Sequence, residues 1–191
     1  MHKRIAILAS GGGSNAEKIL AHFQQHDCAR VDLIACNRKE AGVYNHAETY
    51  GIDTFRLTRA NFYESDEFIQ LLKSRHIDFV VLAGFLWFIP QQMVHAFENR
   101  MVNIHPGLLP KYGGKGMYGH HVHEAVKAAG ERESGMTIHW VNEAYDEGNI
   151  IFQDRVALDP DDSPDDIARK VLMLEHRNYA RVVEEVLCGD Q

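Results

Sequence analysis

Cysteine is scarce in this chain, with three residues among 191, and none of the paired spacings typical of a zinc site is present. Cys28, Cys36 and Cys188 are also odd in number, which argues against a disulfide framework. We therefore expect reduced thiols in a cytoplasmic protein. Histidine is frequent, but it clusters tightly only in the segment HHVH at 120–123, where no further ligand follows at a usual spacing. No metal site is predicted.

Long apolar runs and an excess of positive charge are also missing. No stretch approaches the roughly 20 apolar residues of a membrane-spanning helix, and the first residues, MHKRIAILAS, are too mixed for a secretory signal. Lys and Arg number 20 against 27 Asp and Glu, which gives a net charge of −7. Proteins that bind long nucleic acids through their phosphates normally carry a basic face. We therefore expect small-molecule substrates as partners, with no nucleic acid and no membrane.

Short apolar runs alternate regularly with helical patterns along the chain. One predicted helix begins with Asn61 as its N-cap and ends near Arg75. Continuous apolar strands separated by helices indicate a parallel sheet that is covered by helices on both faces. The predicted fold is therefore α/β, with a doubly wound, mostly parallel, Rossmann-like sheet. The runs typical of its strands are 4–10, 31–37, 53–58, 77–85 and 101–105.

The pattern changes after Gly130. Two strand-like runs, GMTIHWVN and NIIFQDRVAL, are separated by the short loop EAYDEG rather than by a helix, so they are expected to pair antiparallel. Ser163 then supplies an N-cap and Pro164 the first position of a last helix, which runs to about Leu187. The sheet is thus predicted to carry an antiparallel C-terminal extension. In such folds, ligands bind beyond the carboxyl ends of the parallel strands.

The first segment at a strand end is SGGGSN, residues 10–15, which also opens a helix. Glycines let a ligand approach the backbone, and a helix N-terminus offers free amides and the positive end of the dipole. We interpret this segment as a phosphate-binding loop to which Ser14 and Asn15 add polar side chains. The G-x-G-x-x-A pattern of a dinucleotide site fits too, but Cys36-Asn37-Arg38 replaces the expected acidic residue. Arg38 could bind the 2′-phosphate of NADP, so an NADP-binding Rossmann module remains an alternative.

The second segment is NIHPGLLP, residues 103–110. Asn103 and His105 are two residues apart, so they project from the same side of a strand. Pro106 keeps His105 extended and ends the strand pairing. An amide that holds an oxygen, beside an imidazole that titrates near neutral pH, suits a reaction in which a carbonyl oxygen gains charge and a proton moves.

The third segment is the loop EAYDEG, with Asp146 at its centre. A loop carboxylate is most often a turn residue or a solvated charge. Asp146 becomes a candidate catalytic residue only if the fold brings it to His105.

Together these segments resemble the folate-dependent formyltransferases, and in particular their phosphoribosylglycinamide formyltransferase branch in purine biosynthesis. SGGGSN, VVLAGF, NIHPGLLPKY, GMTIHWV with YDEG, and LEH in the last helix follow the family's order and spacing over the whole chain. The resemblance implies transfer of the formyl group of 10-formyltetrahydrofolate, the co-substrate, to the amine of 5′-phosphoribosylglycinamide. It also implies a single domain over 1–191, with a phosphate-binding half (1–100) and a catalytic and folate half (101–191).

The resemblance also implies roles for individual residues. An asparagine, a histidine and an aspartate are catalytic in the family, and they match Asn103, His105 and Asp146. The first two would donate to the oxyanion, and Asp146 would orient His105 and relay the proton. The residues implied in binding the acceptor substrate are Gly12, Gly13, Ser14, Asn15 and Glu175. Those implied in binding folate are Leu86, Trp87, Phe88, Ile89, Val94, Asn103, Asn142, Glu143, Ala144, Tyr145 and Asp146.

The acceptor and the oligomeric state stay open at this point. Formyltransferases that act on an amino sugar nucleotide also use a single catalytic core, so that acceptor is an alternative. The related enzymes that act on methionyl-tRNA carry a further nucleic-acid-binding domain, for which this length and charge leave no room. Either a monomer or a homodimer is compatible with the sequence.

Overall fold

The computed structural model describes residues 2–144 and 146–189. Its strands are β1 Lys3–Ala9, β2 Ala29–Cys36, β3 Asp53–Arg56, β4 Phe79–Leu82, β5 Met101–His105, β6 Glu133–Trp140 and β7 Ile150–Ala157. Its helices are α1 Ser14–Phe23, α2 Val43–Tyr50, α3 Arg59–Tyr63, α4 Glu67–Ser74, α5 Gln91–Ala96, α6 His120–Ala128 and α7 Pro164–Cys188.

All seven strands join in one sheet with the order β3-β2-β1-β4-β5-β6-β7. Strands β1 to β5 pair in parallel, and β6 and β7 add antiparallel strands at one edge. The chain adds β2 and β3 on one side of β1 and then adds β4 and the later strands on its other side. The predicted doubly wound sheet with an antiparallel extension is therefore confirmed. A ligand crevice is expected at the carboxyl ends of β1 and β4, where the order reverses.

Helices cover both faces of the sheet, because alternate residues of each central strand point to opposite sides. On β1, Ile5 and Ile7 pack with α1, α6 and α7, whereas Ala6 and Leu8 pack with α3, α4 and α5. All four side chains are fully buried. This explains why the strand reads as a continuous apolar run. No helix in the described part of the chain is both long and apolar enough to cross a membrane.

Helix α7 begins where the sequence predicts and packs against the sheet. The Ser163 hydroxyl accepts from the Asp166 amide at 3.2 Å, and Pro164 occupies the first helical position. Further along α7, the buried Tyr179 hydroxyl donates to the Leu82 carbonyl of β4 at 2.7 Å. This contact fixes the helix against the middle of the sheet and holds its residues over the strand ends.

The helix predicted over 61–75 is wrong in its bounds. Two short helices, α3 and α4, occupy this stretch, separated near Ser65. Thr58 is the N-cap of α3, and Asn61 lies at its third position, where its side chain accepts from the Thr58 amide at 2.8 Å. Asparagine can complete a capping box from that position as well as start a helix, and the sequence alone did not separate the two.

The expectation of three reduced thiols is also wrong. Cys28 and Cys188 form a disulfide with their Cα atoms 6.0 Å apart, and Cys36 is free and buried. The two partners are 160 residues apart in sequence. They meet because the chain entering β2 lies against the C-terminal end of α7, a contact that spacing rules do not reveal.

Candidate active site

Two cavities meet beyond the carboxyl ends of β1, β4 and β5. The larger has a volume of about 330 Å³, and its polar lining includes Asn15, His105 and Glu175. The smaller is lined mainly by the chain after β4 and by the loop after β6. Both cavities are bordered by Asn103 and Asp146. A group that passes from one bound molecule to another would pass between these two side chains.

Strand β5 delivers Asn103 and His105 to the larger cavity, as their spacing predicts. His105 is 3% exposed, and its Nε2 donates to the backbone carbonyl of Tyr112. Its Nδ1 lies 3.5 Å from Asp146 Oδ2. The ring is therefore anchored through Nε2, and its other nitrogen faces a carboxylate.

Asp146 reaches this point from the loop between β6 and β7. Its backbone is left-handed, with φ 58°, a conformation that aspartate and asparagine tolerate better than most residues. The side chain is 6% exposed, and Oδ2 accepts from the Gly114 amide at 3.2 Å. The structure therefore brings together Asn103, His105 and Asp146, the condition under which the sequence made Asp146 a catalytic candidate.

His139 is a site residue that the sequence reasoning missed. It lies directly opposite Asn103 in the antiparallel pair of β5 and β6, and its Nε2 is 3.1 Å from Asn103 Nδ2. Its Nδ1 donates to the Trp140 carbonyl at 2.9 Å, so Nε2 can accept from the asparagine amide. The same Nε2 is 3.6 Å from Asp146 Oδ1. The sequence held no signal for this contact, because the pairing of β6 with β5 that sets His139 across from Asn103 was not predicted.

The electrostatics of the site follow from its burial. Burial lowers the pKa of His105, and the neighbouring Asp146 carboxylate and the Tyr112 carbonyl oppose this shift. Desolvation therefore favours the neutral imidazole, although two acceptors oppose it. The neutral ring donates from Nε2 and leaves a lone pair on Nδ1, the nitrogen that faces Asp146.

Glu175 projects from α7 into the same cavity and is 7% exposed. Asn15 Nδ2 donates to its Oε2 at 2.6 Å. Burial raises the pKa of Glu175 to about 7, and the Asn15 contact only partly opposes this. The Asn15 Oδ1 atom is buried, and no described residue hydrogen-bonds with it. A ligand with N–H or O–H groups would satisfy both side chains.

Glu175 should leave a signature in the pH dependence of stability. Its pKa is raised to about 7 in the folded protein, so the folded state binds the extra proton. The associated stabilisation is fully present below the unfolded pKa near 4.5 and is lost as pH rises through about 7. We expect the free energy of unfolding of the native chain, minus that of Glu175→Gln, to fall by roughly 3 kcal/mol over this range. Urea unfolding at several pH values measures it, and a pH-independent difference would contradict the assignment.

The predicted phosphate-binding residues form the N-terminus of α1. Gly13 is its N-cap, with φ 80°, and no side chain caps the helix. A Cβ on Gly13 would lie 2.7 Å from Val43, so only glycine fits both the turn and the packing. Gly12 and Ser14 are exposed, and Asn15 lines the larger cavity. The uncapped amides and the positive end of α1 thus lie next to that cavity.

The predicted folate-binding residues divide into three groups. Leu86 lines the larger cavity rather than the smaller, and Tyr145 lies outside the described residues. The structure does not bring Val94 or Glu143 to either cavity, because Val94 packs into the core from α5 and the Glu143 carboxylate binds Gln91 and His95. The residues that line the smaller cavity are Trp87, Phe88, Ile89, Asn103, Asn142, Ala144 and Asp146.

Comparison with known proteins agrees with this geometry. A family sequence model described as "Formyl transferase" matches residues 3–183. The chain belongs to the formyl transferase family. A crystal structure of phosphoribosylglycinamide formyltransferase from Bacillus halodurans superposes with a TM-score of 0.89 at 34% identity, covering 99% of this chain and 97% of that one. The predicted formyltransferase fold is thereby confirmed.

Two curated members of the family illustrate the similarity in sequence. The chain is 42% identical over 187 residues to a chloroplastic phosphoribosylglycinamide formyltransferase of Arabidopsis thaliana, covering 95% of this chain and 64% of that protein. It is 30% identical over 190 residues to phosphoribosylglycinamide formyltransferase of Bacillus subtilis, covering 97% and 95%. The chain thus spans less than two thirds of the plant relative and nearly all of the bacterial one.

Proposed function

We propose that this formyl transferase moves the formyl group of 10-formyltetrahydrofolate to the primary amine of 5′-phosphoribosylglycinamide. The observation that carries the proposal is the meeting of two unlike cavities at Asn103 and Asp146. One cavity adjoins an uncapped helix N-terminus and holds buried polar groups. The other is smaller and is lined mainly by aromatic and aliphatic side chains. An anionic acceptor and a flat heteroaromatic donor match these two environments.

The acceptor amine attacks the formyl carbon, and the formyl oxygen gains negative charge. Asn103 Nδ2 has two hydrogens, and the 3.1 Å contact with His139 uses one of them. The second is available to the oxyanion, and the contact with His139 fixes its direction. One such preorganised donor typically contributes about 100-fold or more to the rate.

The amine must lose a proton, and N10 of the folate must gain one when its bond to the formyl carbon breaks. Among the described residues, Asp146 supplies the one carboxylate that lines both cavities. It accepts the proton, and the protonated carboxyl faces the lone pair of His105 Nδ1, 3.5 Å away, which can hold that proton in place until it passes to N10. In this structure His105 Nε2 donates to the Tyr112 carbonyl. For Nε2 to donate to the formyl oxygen instead, the backbone at Tyr112 and Gly113 must shift.

The acceptor is proposed as a ribonucleotide because its parts match the larger cavity. Its phosphate would bind the amides of Gly12, Gly13 and Ser14 at the start of α1. Its amide and hydroxyl groups would reach Asn15 and Glu175, including the unpartnered Asn15 Oδ1. The names of the relatives support the same acceptor. We also propose a cytoplasmic location, no need for a metal in the transfer, and a monomer or homodimer.

Both cavities draw residues from each side of residue 100. Trp87 and Asn142 line the smaller one, and Asn15 and Glu175 the larger one. We therefore propose the division into two halves only for the phosphate loop, which lies in the first half, and for the catalytic residues Asn103, His105 and Asp146, which lie in the second. The residues that line the cavities do not follow this division.

A transfer assay with matched acceptors tests the proposal. Absorbance of the folate would be followed with 5′-phosphoribosylglycinamide, with the same compound lacking its phosphate, and with an amino sugar nucleotide. We expect turnover with the first, and a KM about 10- to 100-fold higher without the phosphate, since charge-assisted hydrogen bonds are lost. Turnover only with the amino sugar nucleotide would show that this compound, and not 5′-phosphoribosylglycinamide, is the acceptor. Binding of NADP without binding of folate would reject the transferase.

A further inference from the structure

Two histidines and a glutamate meet far from the candidate active site. His22 Nε2 lies 2.7 Å from Glu184 Oε2, and His26 Nδ1 lies 2.8 Å from Glu184 Oε1. The two imidazole rings stack, with centroids 4.1 Å apart and planes 8° from parallel. Two nitrogens and a carboxylate therefore converge on one point at a partly exposed surface, and this arrangement plays no part in the proposed reaction.

The position of the cluster separates it from catalysis. Glu184 lies about 13 Å along α7 from Glu175, at a rise of about 1.5 Å per residue. His22 is in the last turn of α1, whereas the phosphate loop is at its first turn. The cluster thus lies at the end of α1 that points away from the two cavities. A ligand there can act on the stability of the fold without touching either substrate.

The surroundings favour a cation. His22 lies in the last turn of α1 and His26 just beyond it, and Glu184 lies in the last two turns of α7. The C-terminal ends of both helices carry the negative end of the helix dipole and unpaired carbonyl groups. A positive ion bound between them gains from both helices, in addition to its direct ligands.

We propose that His22, His26 and Glu184 bind a divalent transition-metal ion such as Zn²⁺. One ligand atom from each lies within 4.8 Å of the others. Ligand atoms bound to tetrahedral zinc at about 2.0–2.2 Å are about 3.3–3.6 Å apart, so the two histidine–carboxylate contacts need only lengthen by under about 1 Å to admit the ion. Each imidazole offers its lone pair when its proton is on the other ring nitrogen, and Glu184 keeps one oxygen on the metal.

The disulfide beside the cluster couples the site to redox state. Cys28 Sγ lies 3.8 Å from Glu184 Oε1 and is bonded to Cys188. A phosphine reductant and one water molecule supply the two electrons and two protons that break the S–S bond and give two thiols, and the phosphine leaves as its oxide. Cys28 then binds the metal as a thiolate and releases one proton. The reduced protein therefore offers a fourth ligand and binds zinc more tightly than the oxidised one.

This site differs from the expectation of no metal. A metal site is recognisable in a sequence when histidines cluster tightly and a third ligand follows nearby in the chain. His22 and His26 are spaced i, i+4, a common ligand spacing, but their carboxylate comes from residue 184. Only the packing of α1 against α7 supplies it.

Calorimetric titration of the oxidised protein with Zn²⁺ tests the site. We expect one bound ion and a Tm raised by about 5 °C at a hundred times Kd, since the metal binds the folded state. His26→Gln and Glu184→Gln should each weaken binding at least 10-fold. His26 is partly exposed, so His26→Gln reports on binding even if Glu184→Gln destabilises the fold.

His121→Gln is the matched control, because His121 Nδ1 also faces a carboxylate, that of Glu124, at 3.2 Å. We expect its zinc affinity to match that of the native chain. Loss of binding in this variant, or unchanged binding in His26→Gln and Glu184→Gln, would overturn the proposal.

The redox arm uses Co²⁺ as the spectroscopic probe and a phosphine reductant. Reduced native protein should bind at least 10-fold more tightly than oxidised protein and show a thiolate-to-cobalt charge-transfer band. Cys28→Ser with Cys188→Ser should bind like the oxidised protein and lack the band under both conditions. Equal affinities without the band would reject the thiolate ligand and leave the three-ligand site as the result.

Discussion

Replacing Asp146 with asparagine is expected to lower kcat about 10²- to 10⁴-fold, the range for loss of a positioned proton acceptor. Asparagine keeps the size of the side chain, tolerates the left-handed backbone and can still accept from the Gly114 amide. It removes the charge that faces His105 Nδ1 at 3.5 Å and the oxygen that takes the proton of the amine. KM for both substrates should change little. Steady-state and single-turnover formyl transfer measure the effect.

Glu147→Gln is the control for Asp146→Asn. Glu147 is the next residue in the same loop, but it is exposed and borders neither of the two cavities. The same loss of one negative charge should leave kcat within about 2-fold, because exposed charges are screened. If both variants fell equally, the effect would belong to the charge of the loop rather than to Asp146 as a proton acceptor.

Replacing Gly13 with alanine is expected to raise KM for the phosphorylated acceptor about 10- to 100-fold and to lower stability. The backbone at φ 80° costs an alanine about 1–2 kcal/mol, and its Cβ would meet the Val43 side chain at 2.7 Å. The turn must shift, and with it the amides proposed to hold the phosphate. Charge-assisted hydrogen bonds depend strongly on direction, so a small displacement weakens them. Folate affinity should not change.

Gly11→Ala tests whether this effect is specific to the turn. A Cβ on Gly11 meets no atom within 4 Å, and the residue lacks a positive φ. Its carbonyl still accepts from the Val43 amide at 3.2 Å, a bond that alanine retains. Tm and both KM values should therefore match those of the native chain. An equal rise in KM for Gly11→Ala and Gly13→Ala would show that the loop tolerates no side chain, and that the left-handed turn at Gly13 is not the cause.

The sequence by itself determined the architecture and much of the site. Alternating apolar runs and helices predicted the parallel sheet, and the missing helix before NIIFQDRVAL predicted the antiparallel edge, because these patterns are set by side chains along one element. The period of a strand placed Asn103 and His105 on one side, and the glycines with Ser14 and Asn15 marked the start of α1. Ser163 and Pro164 marked the start of α7 for the same local reason.

The tertiary structure alone decided which distant residues meet. It brought Asp146 to His105, set His139 opposite Asn103, and left Val94 and Glu143 away from both cavities. It also joined Cys28 to Cys188 and gave His22 and His26 a carboxylate from residue 184. These contacts depend on how helices pack on the sheet, and that packing is fixed by the burial of whole apolar faces. Polar residues that meet through such packing need no short spacing or motif in the sequence.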